Sequence, residues 1–116
     1  MGARTNYTII TTENPEQNIN VYAHWDGDSA VQILQYSLEK ALPRIKSGDM
    51  SYGTRILIDQ LTADGRDSET GYGIYIGSEI THEEQYDTKE IDLLQHQVRI
   101  GQMTMTFDEF MKVGVL

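Results

Sequence analysis

His24, Trp25 and Asp26 form the sharpest cluster of reactive side chains in this sequence. A histidine and an aspartate two residues apart at a strand end could orient a general base or hold a metal ion. The plainer reading is a packing tryptophan beside a turn aspartate, since no nucleophile lies nearby to be activated. His82-Glu83-Glu84 matches half of a metalloprotease helix motif. The second histidine should follow four residues after the first, and Tyr86 stands there. His24, His82 and His96 could join carboxylates around a metal, as they could in any acidic chain. Asp64-Gly65-Arg66-Asp67-Ser68-Glu69 spaces oxygen ligands as a calcium loop does. Its glycine comes second rather than sixth, and the twelfth position is Tyr75. Gly71, Gly73 and Gly77 make no dinucleotide fingerprint, because no helix is expected to open there. Ser29, Ser37 and Ser51 lie in no nucleophile elbow. The expectation is therefore a protein that is not an enzyme, with no cofactor and no metal.

Charge is the stronger signal. Residues 59–92 hold ten acids (Asp59, Asp64, Asp67, Glu69, Glu79, Glu83, Glu84, Asp87, Glu90, Asp92) and two bases, Arg66 and Lys89, so this stretch carries −8 of the net −9. Residues 1–58 net −1 and residues 93–116 net zero. A field of that sign repels nucleic acid and anionic membranes and attracts basic protein surfaces. The basic residues are scattered. Lys40, Arg44, Lys46 and Arg55 form the only cluster, and Lys40 and Arg44 stand one helical turn apart. Direct nucleic-acid binding is disfavoured. Most charge runs are solvated surface. The sharper alternative is that these carboxylates imitate phosphates and occupy a basic groove. Tyr72, Tyr75 and Tyr86 lie within the acidic stretch and add the rigid amphipathic contacts that interfaces favour.

The chain has 116 residues, 39% of them apolar and 23% charged, and no cysteine. That is one domain of ordinary size, with enough apolar surface for a single core. Disulfides, thiolate nucleophiles and cysteine-zinc sites are excluded. No apolar run follows Arg4, so no signal peptide is expected, and no stretch approaches a spanning helix. Met1-Gly2 opens like a myristoylation start, but Asn6 stands where serine or threonine is wanted. The expected location is the cytoplasm.

These side chains must be positioned by a small set of elements. Thr5–Thr12 is rich in β-branched residues and reads as a strand, and Asn18–His24 alternates as a second, with a turn at Pro15 between them. Val31, Leu34, Leu38, Ala41, Leu42 and Ile45 recur at helical spacing from about Ala30, with Pro43 as a kink or the start of a new segment. Ser51–Leu61 is ambiguous: Ile56-Leu57-Ile58 alone would suit a buried strand, while Ser51 as cap and the near-turn spacing of Tyr52, Ile56, Leu57 and Leu61 favour a helix, weakened by Gly53. Gly71–Ile80, Lys89–Gln95 and Val98–Thr106 read as strands, the last bulged near Gly101, where its alternation changes phase. Thr106 and Glu109 fit a capping box opening a short helix, Phe107–Val113. The order predicts an α+β domain: an antiparallel sheet of about five strands with two or three helices on one face.

Three segments together carry a resemblance. His24-Trp25-Asp26-Gly27 ends a strand before the first helix. Ser51-Tyr52-Gly53-Thr54-Arg55 and Glu69-Thr70-Gly71-Tyr72-Gly73-Ile74 follow. This order resembles a group of small uncharacterised proteins of tailed bacteriophages, with HW-x-G, SYxTR and ETGYGI segments over roughly residues 19–100. The resemblance implies a context, the host bacterial cytoplasm, and no catalytic role. Small acidic phage proteins are often antagonists of host enzymes, restriction and CRISPR nucleases among them. The leading expectation is therefore an anti-CRISPR or anti-restriction-like inhibitor. It would bind a basic host protein, such as a nuclease or another nucleic-acid-binding enzyme, through Asp64, Asp67, Glu69, Tyr72, Tyr75, Glu79, Glu83, Glu84, Tyr86 and Asp87. The alternatives are a nucleotide-signal binder, with Tyr72, Tyr75 or Trp25 stacking a base and Arg55 or Arg99 holding phosphate, and a self-assembling phage structural protein.

Overall fold

A computed structural model describes residues 3–114; Met1 and Gly2, weighed above as a lipidation start, lie outside them. Strand β1 (Thr5–Ile10) runs antiparallel to β2 (Ile19–Ala23). Two helices follow, α1 (Ala30–Lys46) and α2 (Met50–Leu61). The chain then returns to β3 (Tyr72–Ile76), crosses to β4 (Lys89–Asp92), and ends with β5 (Gln97–Ile100), β6 (Met103–Thr106) and α3 (Phe107–Met111). The sheet order is β3-β2-β1-β4-β5-β6. The fold is α+β, as its element order predicts. All neighbouring strands are antiparallel except β1 and β4, which pair in parallel.

The sheet has six strands because Val98–Thr106 is not one bulged strand. Ile100 pairs with Met103 across a turn of two residues, and Gly101 takes φ +58°. A left-handed glycine in a tight hairpin produces the phase change that alternation alone suggested was a bulge. Strand β4 stops early, at Asp92, whose Oδ1 accepts from the backbone N–H groups of Leu94 (2.9 Å) and Gln95 (3.0 Å) and so turns the chain. Strand β3 likewise stops at Ile76, short of Ile80, before Gly77 at φ +134°.

Alternation along each strand divides the sheet faces. Tyr7, Ile9, Val21, Ile91 and Val98 point to the helices and are fully buried with Leu34, Leu38, Leu57 and Phe110. Each such aliphatic or aromatic side chain contributes about 1.5–3 kcal/mol of burial. Helix α1 passes through Pro43 as one element to Lys46; the proline sits one turn from the end, where a lost backbone bond costs least. Asp49, not Ser51, caps α2, its Oδ1 accepting from Tyr52 N at 3.0 Å. Gly53 is no defect. A Cβ there would stand 2.8 Å from Ile45 Cγ1, so the glycine lets α1 and α2 approach closely. Helix α3 has the expected capping box and docks on α1 through Gln35 Nε2, which donates to the carbonyls of Phe110 and Val113. Among the described residues no helix is long and apolar enough to cross a membrane.

Candidate functional site

The second face of the sheet is polar, and it carries the most acidic connection in the chain. Strands β3 and β4 are separated by β2 and β1, so residues 77–88 must cross that face. This strap holds Glu79, Glu83, Glu84 and Asp87 and no lysine or arginine.

Asn6 anchors it. The alternation that buries Tyr7 against the helices turns the fully buried Asn6 toward the strap. Its Nδ2 donates to the His82 carbonyl (3.2 Å) and to Glu84 Oε1 (2.8 Å), and its Oδ1 accepts from the Tyr75 hydroxyl (2.8 Å). Glu84 also accepts from Thr88 Oγ1 at 2.7 Å. The Arg4 carbonyl accepts from Gln85 N and Tyr86 N at 2.9 and 3.2 Å. Next door, Thr8 Oγ1 donates to Asn20 Oδ1 (2.7 Å), and Asn20 Nδ2 donates to the Gly77 carbonyl (2.9 Å). A buried polar set with every member paired fixes one geometry. Burial pushes the Tyr75 phenol up, partly offset by the Thr81 and His82 backbone.

The His82 ring lies on Tyr75 and Tyr22, each with centroids 4.7 Å apart. Beside it opens a cleft of about 470 Å³ lined by Tyr22, His24, Trp25, Gly73 and His82. Trp25 is 59% exposed, and Gly73 has open space where a Cβ would stand. His24 and Asp26, the cluster that could have done acid-base work, are parted. His24 Nδ1 meets the Tyr22 hydroxyl at 2.6 Å, while Asp26 accepts from the Tyr72 hydroxyl on the helix side. Burial and that bond raise the Tyr72 phenol well above its ordinary range. Among the described residues no three His, Asp or Glu side chains converge on a metal position.

The ten residues expected at an interface fall into two groups. Asp64 and Tyr72 line a hollow of about 290 Å³ between helices and sheet, with Asp26. Asp67 and Glu69 are exposed on the loop that enters β3. Glu79, Glu83, Glu84, Tyr86 and Asp87 belong to the strap, and Tyr75 lies beneath it. Glu83 stands 3.8 Å from Arg4, and the Tyr86 hydroxyl donates to Asp28. Acids at the ends of the stretch are already engaged: Asp59 pairs with Arg66 at 2.9 Å, and Arg99 holds Glu90 (2.9 Å) and Asp92 (3.3 Å). Arg99 is thus spent on its own carboxylates, and neither it nor Arg55 lines the aromatic cleft. Sequence reasoning missed Asn6, Asn20 and Tyr22 as organisers of the site. Their signal was present: they are the polar partners in the alternation of β1 and β2. The chain matches no protein-family model, no curated protein and no solved structure.

Proposed function

We propose that this is a non-enzymatic binding protein that engages a basic protein surface through its acidic strap and the neighbouring loop. The observation that carries the reading is the strap itself. The buried Asn6 amide holds its backbone at His82 and its Glu84 carboxylate on the polar face, and Glu79, Glu83 and Asp87 ride on the same anchored segment, which contains no lysine or arginine. Preorganised charge raises association rate and selects the sign of the partner. A lysine- or arginine-lined channel evolved for phosphates is the complementary surface.

The resemblance to small phage proteins supports a more particular version: an inhibitor of a host nucleic-acid-binding or defence protein, acting in the host cytoplasm by occupying the groove meant for nucleic acid. The test is capture from bacterial lysate at low salt. The bait is the native protein, beside a variant with Asp64, Asp67, Glu69, Glu83 and Glu84 changed to lysine. Expected is one stoichiometric, nucleic-acid-handling partner, bound by the native bait alone, released as salt rises, and blocked from its nucleic acid. Equal capture by both baits, or a complex indifferent to salt, overturns the reading.

A further inference from the structure

Strand β3 is an edge of the sheet, and its outer side is unpaired. The backbone bonds His24 N to Gly71 O (2.8 Å) and Gly77 N to Asn18 O (3.0 Å) bracket the β2–β3 ladder. In the observed register these bonds place Gly71, Gly73, Tyr75 and Gly77 toward β2. The N–H and C=O groups of Tyr72, Ile74 and Ile76 therefore point outward. The side chains of Ile74 and Ile76 lie on the helix side of the sheet, yet they are 56% and 63% exposed. Helices α1 and α2 stop short of them. Natural edges are blunted by lysine, proline or a bulge; this one has none of these from Tyr72 to Ile76. The opposite edge differs. There the outward residues of β6 are Thr104 and Thr106, and Thr106 N already donates to Glu109.

We infer that β3 is a docking edge for an extended segment of a basic partner, added antiparallel as a seventh strand and alternating apolar with Lys or Arg side chains. The sign of the partner rests on the acidic-surface reading above; the mode of docking rests on the edge alone. Residues of the added strand directly opposite Tyr72, Ile74 and Ile76 share their face, so apolar side chains there would cover the two exposed isoleucines. The intervening residues would project to the other face, past Gly73 and beside Trp25 and His82, where the open face of an aromatic cleft suits a cation. Charge excludes a second copy as the occupant. Antiparallel pairing of two β3 strands would bring the acids that flank the strand in each copy, Asp67 and Glu69 before it and Glu79 after it, toward those of the other. No lysine or arginine lies between residues 67 and 88 to offset them.

The test is fluorescence anisotropy with a labelled short peptide alternating valine and arginine. Two further peptides carry N-methyl groups, one on the valines, whose N–H groups would face β3, and one on the arginines, whose N–H groups would face away. Expected is a loss of at least about tenfold for the valine-methylated peptide and for Ile74→Lys/Ile76→Lys protein, with little change for the arginine-methylated peptide. Equal binding by all three peptides would mean contact by charge alone and overturns the docking mode while leaving the acidic surface intact. Tight, methyl-sensitive binding that survives the five-site charge reversal would leave the edge standing and sink the charge reading. No binding at all, or a dimer of the free protein that Ile74→Lys breaks, overturns the inference outright.

Discussion

Asn6 Nδ2 donates to Glu84 Oε1 at 2.8 Å, joining a fully buried residue of the second strand-layer face to an acid of the strap, seventy-eight positions away in the chain. That single amide also holds the His82 carbonyl and the Tyr75 hydroxyl. It converts an acidic connection into a fixed surface.

Asn6→Val should therefore free the strap before it unfolds the sheet. Three hydrogen bonds are lost and their partners left under-satisfied, a cost of about 2 kcal/mol. Hydrogen exchange should show faster exchange at Gln85 and Tyr86, whose amides bond to Arg4, with β1 amides such as Tyr7 still protected. Equal acceleration across β1 would contradict this role for Asn6.

Gly27 packs against the strap at Tyr86, just beyond the residues that Asn6 holds. Its N–H donates to the Ala3 carbonyl at 2.7 Å, and an added Cβ would strike the Tyr86 ring and stand 2.6 Å from that carbonyl. Gly27→Ala should destabilise by about 1–3 kcal/mol, and Gly27→Ala/Tyr86→Ala should recover only the part due to the ring. Urea denaturation of the single and double variants measures both.

Lys89 is the one buried cation among the described residues, 3% exposed, with Nζ donating to Thr5 Oγ1 at 2.9 Å. Burial lowers its pKa, while Glu84 and Asp87 oppose that shift. A depressed lysine is a penalty at neutral pH that fades as pH rises toward its unfolded value of about 10.4. Lys89→Met should raise stability at pH 7 by about 1 kcal/mol, because the stem stays packed and the charge is no longer desolvated. The gap between variant and native should narrow as pH climbs. A variant less stable at pH 7 would assign Lys89 a net favourable contact.

Tyrosine ionisation works in the opposite direction. Burial first, then the nearby charges of Asp26 and Tyr72, hold the Tyr7 phenol far above its ordinary value; Tyr72, Tyr75 and Tyr86 are raised as well. The folded chain keeps protons that the unfolded chain releases above about pH 10. Stability from these groups is therefore complete below that pH and declines above it. Ultraviolet titration should show a fraction of the seven tyrosines ionising only as the protein unfolds. Simultaneous, normal titration of all of them would refute this.

Much was legible in the sequence because it depends on local periodicity. β-branched runs, the helical stripe from Val31 to Ile45 and the Thr106–Glu109 box each specify an element from a few neighbouring residues. Their order was enough for the α+β class. The concentration of charge in residues 59–92 was likewise plain. What only the tertiary structure decided is which strands meet. The parallel pairing of β1 with β4 sends residues 77–88 across the polar face, gathers Glu79, Glu83, Glu84 and Asp87 there, and parts them from Asp64, Asp67 and Glu69. It also leaves β3 at an edge with Ile74 and Ile76 uncovered, where alternation alone would have buried them. Strand order is set by contacts between residues far apart in the chain, and the period of a strand states which face a side chain takes without stating what lies beside it.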